Sequence, residues 1–295
     1  MSTDIPAVPC YLDGQFGSTR DMKVSVLDRG FIFGDGVYEV VPAYEGRPFR
    51  FQEHMARLDR SLGEMRIKNP MDRAGWRKLV DDLVAKYAAQ VGKKPEETNQ
   101  LVYLQVTRGV AWRDHVMPPD IAPTVFAMVN RLYIYTAEER ARGVDCYTAD
   151  DFRWKKGHIK SISLAAAVLS RQMSADRGGN ETIMFRDGFL SEAAASNVWV
   201  VKDGVVLGAP RDNLVLEGIR YGLLEELCQQ AGIPFELRRV SRDEVLGADE
   251  ILLSSATKEI LPCTRLDGQP VGNGKPGPIY EKLFAGYQQA KRSTS

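Results

Sequence analysis

Four places in the chain bring together residue types that could do chemistry. Lys160, in WKKGHIKSISLAAAVL, sits where an extended run gives way to a helix opened by Ala165, Ala166 and Ala167. Its neighbours Ile159 and Ile162 are apolar. Burial disfavours an ammonium, and a lysine kept neutral can add to a carbonyl to form a Schiff base. Glu192, in GFLSEAAASNVWVV, ends a strand and is followed by three alanines. A carboxylate there could bond a ring nitrogen of a cofactor and keep it protonated. In LEGIRYGLLEEL, Gly218 opens a helix whose first amides have no partner within the helix, which suits a phosphate. Arg113 and His115, in TRGVAWRDH, lie just beyond an apolar strand, where the Arg fork and the imidazole could converge on a carboxylate. Taken singly, each has an ordinary alternative: a surface lysine like Lys155 and Lys156, a strand-end acid, one helix start among several, a solvated loop.

The elements that must position these residues are legible as hydrophobic periods and turn signals. PCYLDGQFG reads as two short strands about an Asp13-Gly14 turn, and residues 37–49 repeat the pattern about Glu45-Gly46. Met55, Leu58, Leu62 and Met65 follow 3-4-3 spacing, which predicts an amphipathic helix. Gly75 to Val91 predicts another, stopped by Gly92. QLVYLQVTRG and PTVFAMVN read as strands. Residues 131–143, RLYIYTAEERARG, form the best linker stretch, with 1–130 expected as a smaller N-terminal α/β domain. The linker proper is set at 131–136, and a larger domain at 137–295 is expected to carry Lys160. That second part reads as a strand (VDCYTADDF) and a helix (Leu164 to Arg177). Hairpins follow at Asp187-Gly188 and Asp203-Gly204, then a helix (Gly218 to Gln230), a strand (DEILLSS) and a hairpin at Asp267-Gly268. Hairpins mixed with scattered helices predict an α+β or mixed α/β fold rather than a doubly wound parallel sheet.

Composition narrows the function classes. The 295 residues carry 39 Lys+Arg against 39 Asp+Glu, so no net positive charge recommends a nucleic-acid surface. No apolar run approaches the roughly 20 residues that span a bilayer. MSTDIPAVPCYLDGQ lacks the basic-then-apolar order of a secretory signal. Cys10, Cys146, Cys228 and Cys263 are scattered, which fits free thiols in a reducing cytoplasm. The three histidines do not fall at metal-ligand spacing, and no metal site is expected.

The order of the motifs says more than any one of them. DRGFIFGDGVYEVV (28–41), FQEHMARL (51–58), LQVTRGVAWRDH (104–115), IKSISLAAAVLSRQ (159–172), EAAASNVWVVKDG (192–204), LEGIR (216–220) and SSATKEILP (254–262) follow one another from about Tyr11 to Phe284. Together they resemble the fold-type IV, or class IV, aminotransferases that depend on pyridoxal 5'-phosphate, most closely the D-amino-acid branch. The resemblance implies a two-domain α+β enzyme that passes an amino group between a D-amino acid and a 2-oxo acid. By it, Lys160 is the lysine that holds the cofactor as a Schiff base and moves the substrate proton. Glu192 is the acid at the pyridine nitrogen, which lets the ring act as an electron sink. Arg57, in H-x-x-R-L, matches the phosphate-binding arginine. The backbone at Ile219 and Arg220 and the Thr257 hydroxyl complete the phosphate cup, and Tyr38 lines the substrate side near the lysine. Arg113 and His115 resemble the R-x-H pair that traps the substrate α-carboxylate from a loop of the partner subunit, which implies a homodimer.

The chain departs from the family pattern in three places. Ala193, Ala194 and Ala195 stand where Gly-Ser-Ser is common, removing two hydroxyls near the cofactor edge. Arg220 replaces a phosphate-binding Thr and either touches the phosphate or points away. Ala256 also replaces a Thr. Three activities share the fold: branched-chain L-amino-acid transamination, R-selective amine transamination and aminodeoxychorismate lysis. The R-x-H pair and GDGVYE favour the D-specific branch over the branched-chain one; activity on carboxylate-free amines would favour the amine transaminase, and an aromatic C–C cleavage assay separates the lyase.

Overall fold

The computed structural model describes residues 7–293, so the first six residues of the stretch read as lacking a secretory signal lie outside it. It divides into two compact units. The first runs to Tyr133 and takes back Ile159–Leu164; the second comprises Ile134–His158 and Ala165–Ser293.

In the first unit, β1 (Pro9–Leu12) and β2 (Gln15–Ser18) precede a short helix α1 (Arg29–Phe33). Strands β3 (Gly36–Tyr44) and β4 (Arg47–Pro48) lead to helices α2 (Phe51–Glu64) and α3 (Arg73–Gln90), then to β5 (Gln100–Thr107) and β6 (Thr124–Arg131). The strands form one antiparallel sheet in the order β2-β1-β6-β5-β3-β4. Strand β3 alternates as a strand must. Val37, Val41 and Ala43 enter the core with Met55, Leu58 and Leu62 of α2 and Trp76, Leu79 and Leu83 of α3. The 3-4 spacing read in the sequence is therefore the stripe α2 turns to the sheet.

The second unit starts with α4 (Ala137–Arg142), β7 (Val144–Asp150) and α5 (Ala165–Ala175). Strands β8 (Glu181–Arg186), β9 (Phe189–Ala193), β10 (Asn197–Lys202) and β11 (Val205–Gly208) precede α6 (Ile219–Ala231). Next come β12 (Phe235–Leu237), α7 (Arg242–Leu246), β13 (Glu250–Ser255), β14 (Glu259–Leu266), β15 (Gln269–Pro270) and α8 (Pro278–Ser293). The sheet runs β12-β11-β10-β13-β14-β7-β8-β9, with β15 on β14. Three of its pairings are parallel (β11 with β12, β14 with β7, β7 with β8) and the rest antiparallel. The fold is α+β, as the hairpins imply. At Asp187-Gly188 and Asp203-Gly204 both turn residues have positive φ, which the two-residue hairpin demands.

Three differences from the sequence reading have physical causes. The 131–143 stretch is not all linker, because Thr136 and Glu139 form a reciprocal capping box that starts α4. Helix α8 was not anticipated, although Tyr280, Leu283 and Tyr287 give it a buried stripe at 3-4 spacing. Most consequential, Lys160 does not belong to the body of the second unit. Its segment is an added edge of the first sheet, with Val37 bridging Ser161 and the Tyr38 amide donating to the Lys160 carbonyl at 3.0 Å. Strand β4 covers β3 only at Ala43 and Tyr44, which leaves the start of β3 open to this pairing.

Candidate active site

In the first unit, β3 delivers two consecutive residues to opposite faces. Tyr38 stacks on Tyr103 with centroids 5.7 Å apart, and the Lys160 Nζ lies 4.0 Å from the Tyr38 ring centroid. A cation at that distance over an aromatic face is attracted by the ring quadrupole, so Tyr38 orients the half-buried amine. The lysine backbone is fixed as well, its amide donating to Ser61 Oγ at 3.2 Å.

Glu39 faces the other way, into α2, and is wholly buried. Arg57 grips it with both arms of its fork, Nε to Oε1 at 2.7 Å and Nη2 to Oε2 at 2.9 Å, and His54 Nδ1 lies 2.8 Å from Oε2. Arg57 and His54, beside this acid, hold the Glu39 carboxyl far below the usual carboxylate range despite its burial. Arg57 and Ser61 are one turn apart on α2, so one helix face carries the expected phosphate arginine and anchors the lysine backbone.

The R-x-H pair lies on an exposed loop of the same unit. The structure brings both side chains to one ring: the Arg113 guanidinium carbon is 5.3 Å from the Phe33 centroid, and the His115 ring is 5.4 Å from it. Trp112 beside them is 83% exposed.

In the second unit, Glu192 is buried at the end of β9. It accepts from Arg153 Nη1 at 2.8 Å, Asn197 Nδ2 at 3.1 Å and the Leu216 amide at 3.2 Å. Burial nevertheless pushes its carboxyl up, because Arg153 is shared: Asp151 takes two bonds from the same guanidinium, at 2.9 Å each. Arg153, not singled out in the sequence, is thus the organising cation here. Its only prior signal was its position seven residues before Lys160.

Asn197 links this acid to the start of α6. The same amide nitrogen donates to the Leu216 carbonyl at 2.9 Å, and a Cβ on Gly218 would collide with Asn197 Oδ1. Gly218 is therefore required by close approach. As N-cap it offers no side-chain bond to the first-turn amides, so Ile219 and Arg220 present backbone donors there. The Arg220 side chain is 2% exposed and donates from Nη2 to Tyr287 Oη of α8 at 2.9 Å. Thr257 lies in the exposed β13–β14 turn with its hydroxyl 3.3 Å from Ser255 Oγ.

These residues fit a phosphorylated pyridine. Glu192 has three donors, and a carboxylate offers about four acceptor positions, leaving room for a ring N–H. The α6 amides suit the phosphate, and one residue, Asn197, ties the two together.

The class IV aminotransferase family matches residues 36–266, and the chain belongs to it. It is a transaminase of fold type IV dependent on pyridoxal 5'-phosphate. Among curated relatives, it is 35% identical to the D-alanine aminotransferase of Bacillus licheniformis over 94% of this chain and 95% of that one. It is 33% identical to the D-alanine aminotransferase of Staphylococcus aureus (strain COL), covering 97% and 98% of the two chains. Among solved structures, the branched-chain amino acid aminotransferase of T.th. with pyridoxamine 5'-phosphate superposes with a TM-score of 0.87 at 22% identity, over 99% of this chain and 96% of that one. A fold IV transaminase, CpuTA1, from Curtobacterium pusillum gives 0.81 at 24% identity, over 98% of this chain and 100% of that one. At such identities these structures establish the fold alone.

Proposed function

We propose that the protein transfers the amino group of a D-amino acid such as D-alanine to a 2-oxo acid. The observation that carries this is the convergence of Arg113 and His115 on Phe33, a paired donor set for a carboxylate. The D-alanine aminotransferase relatives support the D-specific choice. When bound, pyridoxal phosphate supplies a carbonyl for the amino group and a ring that withdraws electrons from the substrate Cα. Lys160 holds the cofactor and carries the proton taken from Cα. Glu192 keeps the ring nitrogen protonated, and Tyr38 sets the orientation of Lys160 on the substrate side. Arg57, the Ile219 and Arg220 amides and the Thr257 hydroxyl hold the phosphate. Arg113 and His115 bind the substrate carboxylate.

The enzyme works as a homodimer in which this loop reaches the partner's active site. Phe31, Trp112 and Val116, each at least 70% exposed, give the apolar surface a second copy would cover. The reaction takes place in the cytoplasm, where the four free, buried cysteines stay reduced. No helix among the described residues is long and apolar enough to cross a membrane.

Two measurements test this. Incubation with D-alanine converts the absorbance of the bound cofactor to that of its pyridoxamine form, while L-alanine and L-leucine do not. Conversion by L-leucine instead supports the branched-chain reading. Arg113→Ala lowers kcat/KM for D-alanine by roughly tenfold to a hundredfold, the equivalent of about 1.5–3 kcal/mol for a charge-assisted contact. It spares amines that lack a carboxylate, and an equal loss for both substrate kinds refutes the trap.

A further inference from the structure

Tyr38 accounts for one residue of DRGFIFGDGVYEVV, yet the first eight residues of that segment hold a buried charge network. Asp35 Oδ2 accepts from Arg29 Nε at 2.8 Å and from Arg108 Nε at 2.7 Å, and Oδ1 accepts from Arg108 Nη2 at 3.0 Å. Arg108 is further pinned on the carbonyls of Met65 and Arg66, at 2.7 and 3.0 Å. Arg29 uses its Nη1 differently: it donates at 2.6 Å to the carbonyl of Asp114. Asp114 is the residue between Arg113 and His115. The Phe33 ring on which those two side chains rest belongs to the helix that Arg29 begins. Backbone bonds join the same segments, from the Arg29 amide to the Gly109 carbonyl at 2.9 Å and from Ala111 to Leu27 at 3.3 Å.

An exposed loop has little packing of its own to fix two side chains. Here its backbone is fastened at one carbonyl by an arginine whose side chain is 4% exposed. Two guanidiniums against one carboxylate are costly to bury, which fits a cluster with a task beyond stability.

We propose that Arg29 is a positioning residue: locked by Asp35 and Arg108, it holds the backbone between Arg113 and His115 and so sets the geometry in which the pair meets a carboxylate. This rests on the carboxylate role proposed above. It implies that amino-acid and 2-oxo-acid substrates depend on Arg29 alike, because each presents a carboxylate.

The test uses the holoenzyme with Arg29→Lys, which keeps a cation for Asp35 but loses the fork that also reaches Asp114. A second variant, Phe33→Leu, leaves the charge cluster untouched. In both, KM for D-alanine and for pyruvate rises about tenfold, the scale of one charge-assisted contact. At the same time kcat stays within about twofold, and bound-cofactor absorbance and melting temperature are kept. In an Arg113→Ala background, Arg29→Lys adds less than about twofold, because residues acting through one another are not additive. Unchanged KM in both variants overturns the positioning role. So does a loss confined to kcat or cofactor content, or full additivity in the double variant. If Arg113→Ala leaves carboxylate substrates unaffected, the carboxylate role itself fails; if Arg113→Ala acts and Arg29→Lys does not, only the positioning role fails.

Discussion

Glu39 in the first unit and Glu192 in the second are each buried against an arginine, and the two pairs behave oppositely. In the first unit Glu39 receives both arms of Arg57 and also faces His54, and its carboxyl is held far below the ordinary range. In the second, Glu192 receives a single arm of Arg153, whose other bonds go to Asp151, and burial pushes its carboxyl up. Desolvation raises both acids; what differs is how much cation each one owns. Glu39 is saturated, so its charge serves to hold Arg57 still. Glu192 shares its arginine with Asp151, so its charge is less fully matched. The contrast separates an acid whose charge is matched within the fold from one whose charge is not.

The largest expected effect comes from removing the charge that is short of a partner. Glu192→Gln lowers kcat by about 10²–10³-fold, roughly 3–4 kcal/mol of lost electrostatic stabilisation, while the protein still binds the cofactor through its phosphate. Steady-state rates beside cofactor absorbance check this, and near-normal kcat removes Glu192 from its role.

Glu39→Gln acts on the fold instead. It removes the carboxylate charge that faces buried Arg57 and lowers unfolding free energy by about 3–5 kcal/mol, measured by denaturant unfolding, with weaker cofactor retention. A variant as stable as the parent shows that Glu39 is not the anchor of Arg57.

The pH dependence of stability distinguishes the acids further. Because the folded Glu39 value lies below that of the unfolded chain, its contribution is complete above about pH 4.3 and is lost as pH falls through the folded value. Glu192 has the opposite sign: its raised value favours the fold at low pH, and that share is lost as pH rises through the folded value. Unfolding curves of the cofactor-free protein therefore lose acid sensitivity in Glu39→Gln and gain stability near neutrality in Glu192→Gln. The reverse pattern refutes the contrast.

The smallest effect sharpens the cause. Asp151→Asn leaves Arg153 wholly to Glu192, lowers the Glu192 value and moves the acid limb of the rate profile to lower pH by less than about one unit. A shift to higher pH rules out the sharing of Arg153 as the cause.

The sequence by itself carried whatever depends on neighbours along the chain. The 3-4 stripe of Met55, Leu58 and Leu62 became the buried face of α2, and the Asp-Gly pairs became hairpins with positive φ. Each rests on helical or strand period, or on a residue's own backbone freedom. Lys160, Glu192 and Arg57 stand in short motifs whose order along the chain resembles that of the class IV aminotransferases, and their roles are what that resemblance implies. The Thr136–Glu139 capping box and the stripe of α8 were equally local and could have been read.

Only the tertiary structure decided how the charges are partnered. Arg153 meets Glu192 across 39 positions, Arg220 meets Tyr287 across 67, and Arg29 meets Asp114 across 85. Lys160, expected in the second domain, joins the first sheet because the free edge of β3 offers it hydrogen bonds. No period or propensity encodes such choices. A buried cation takes whichever carboxylate or carbonyl the packing of distant segments leaves within reach, and that is settled only when the sheets and helices close around it.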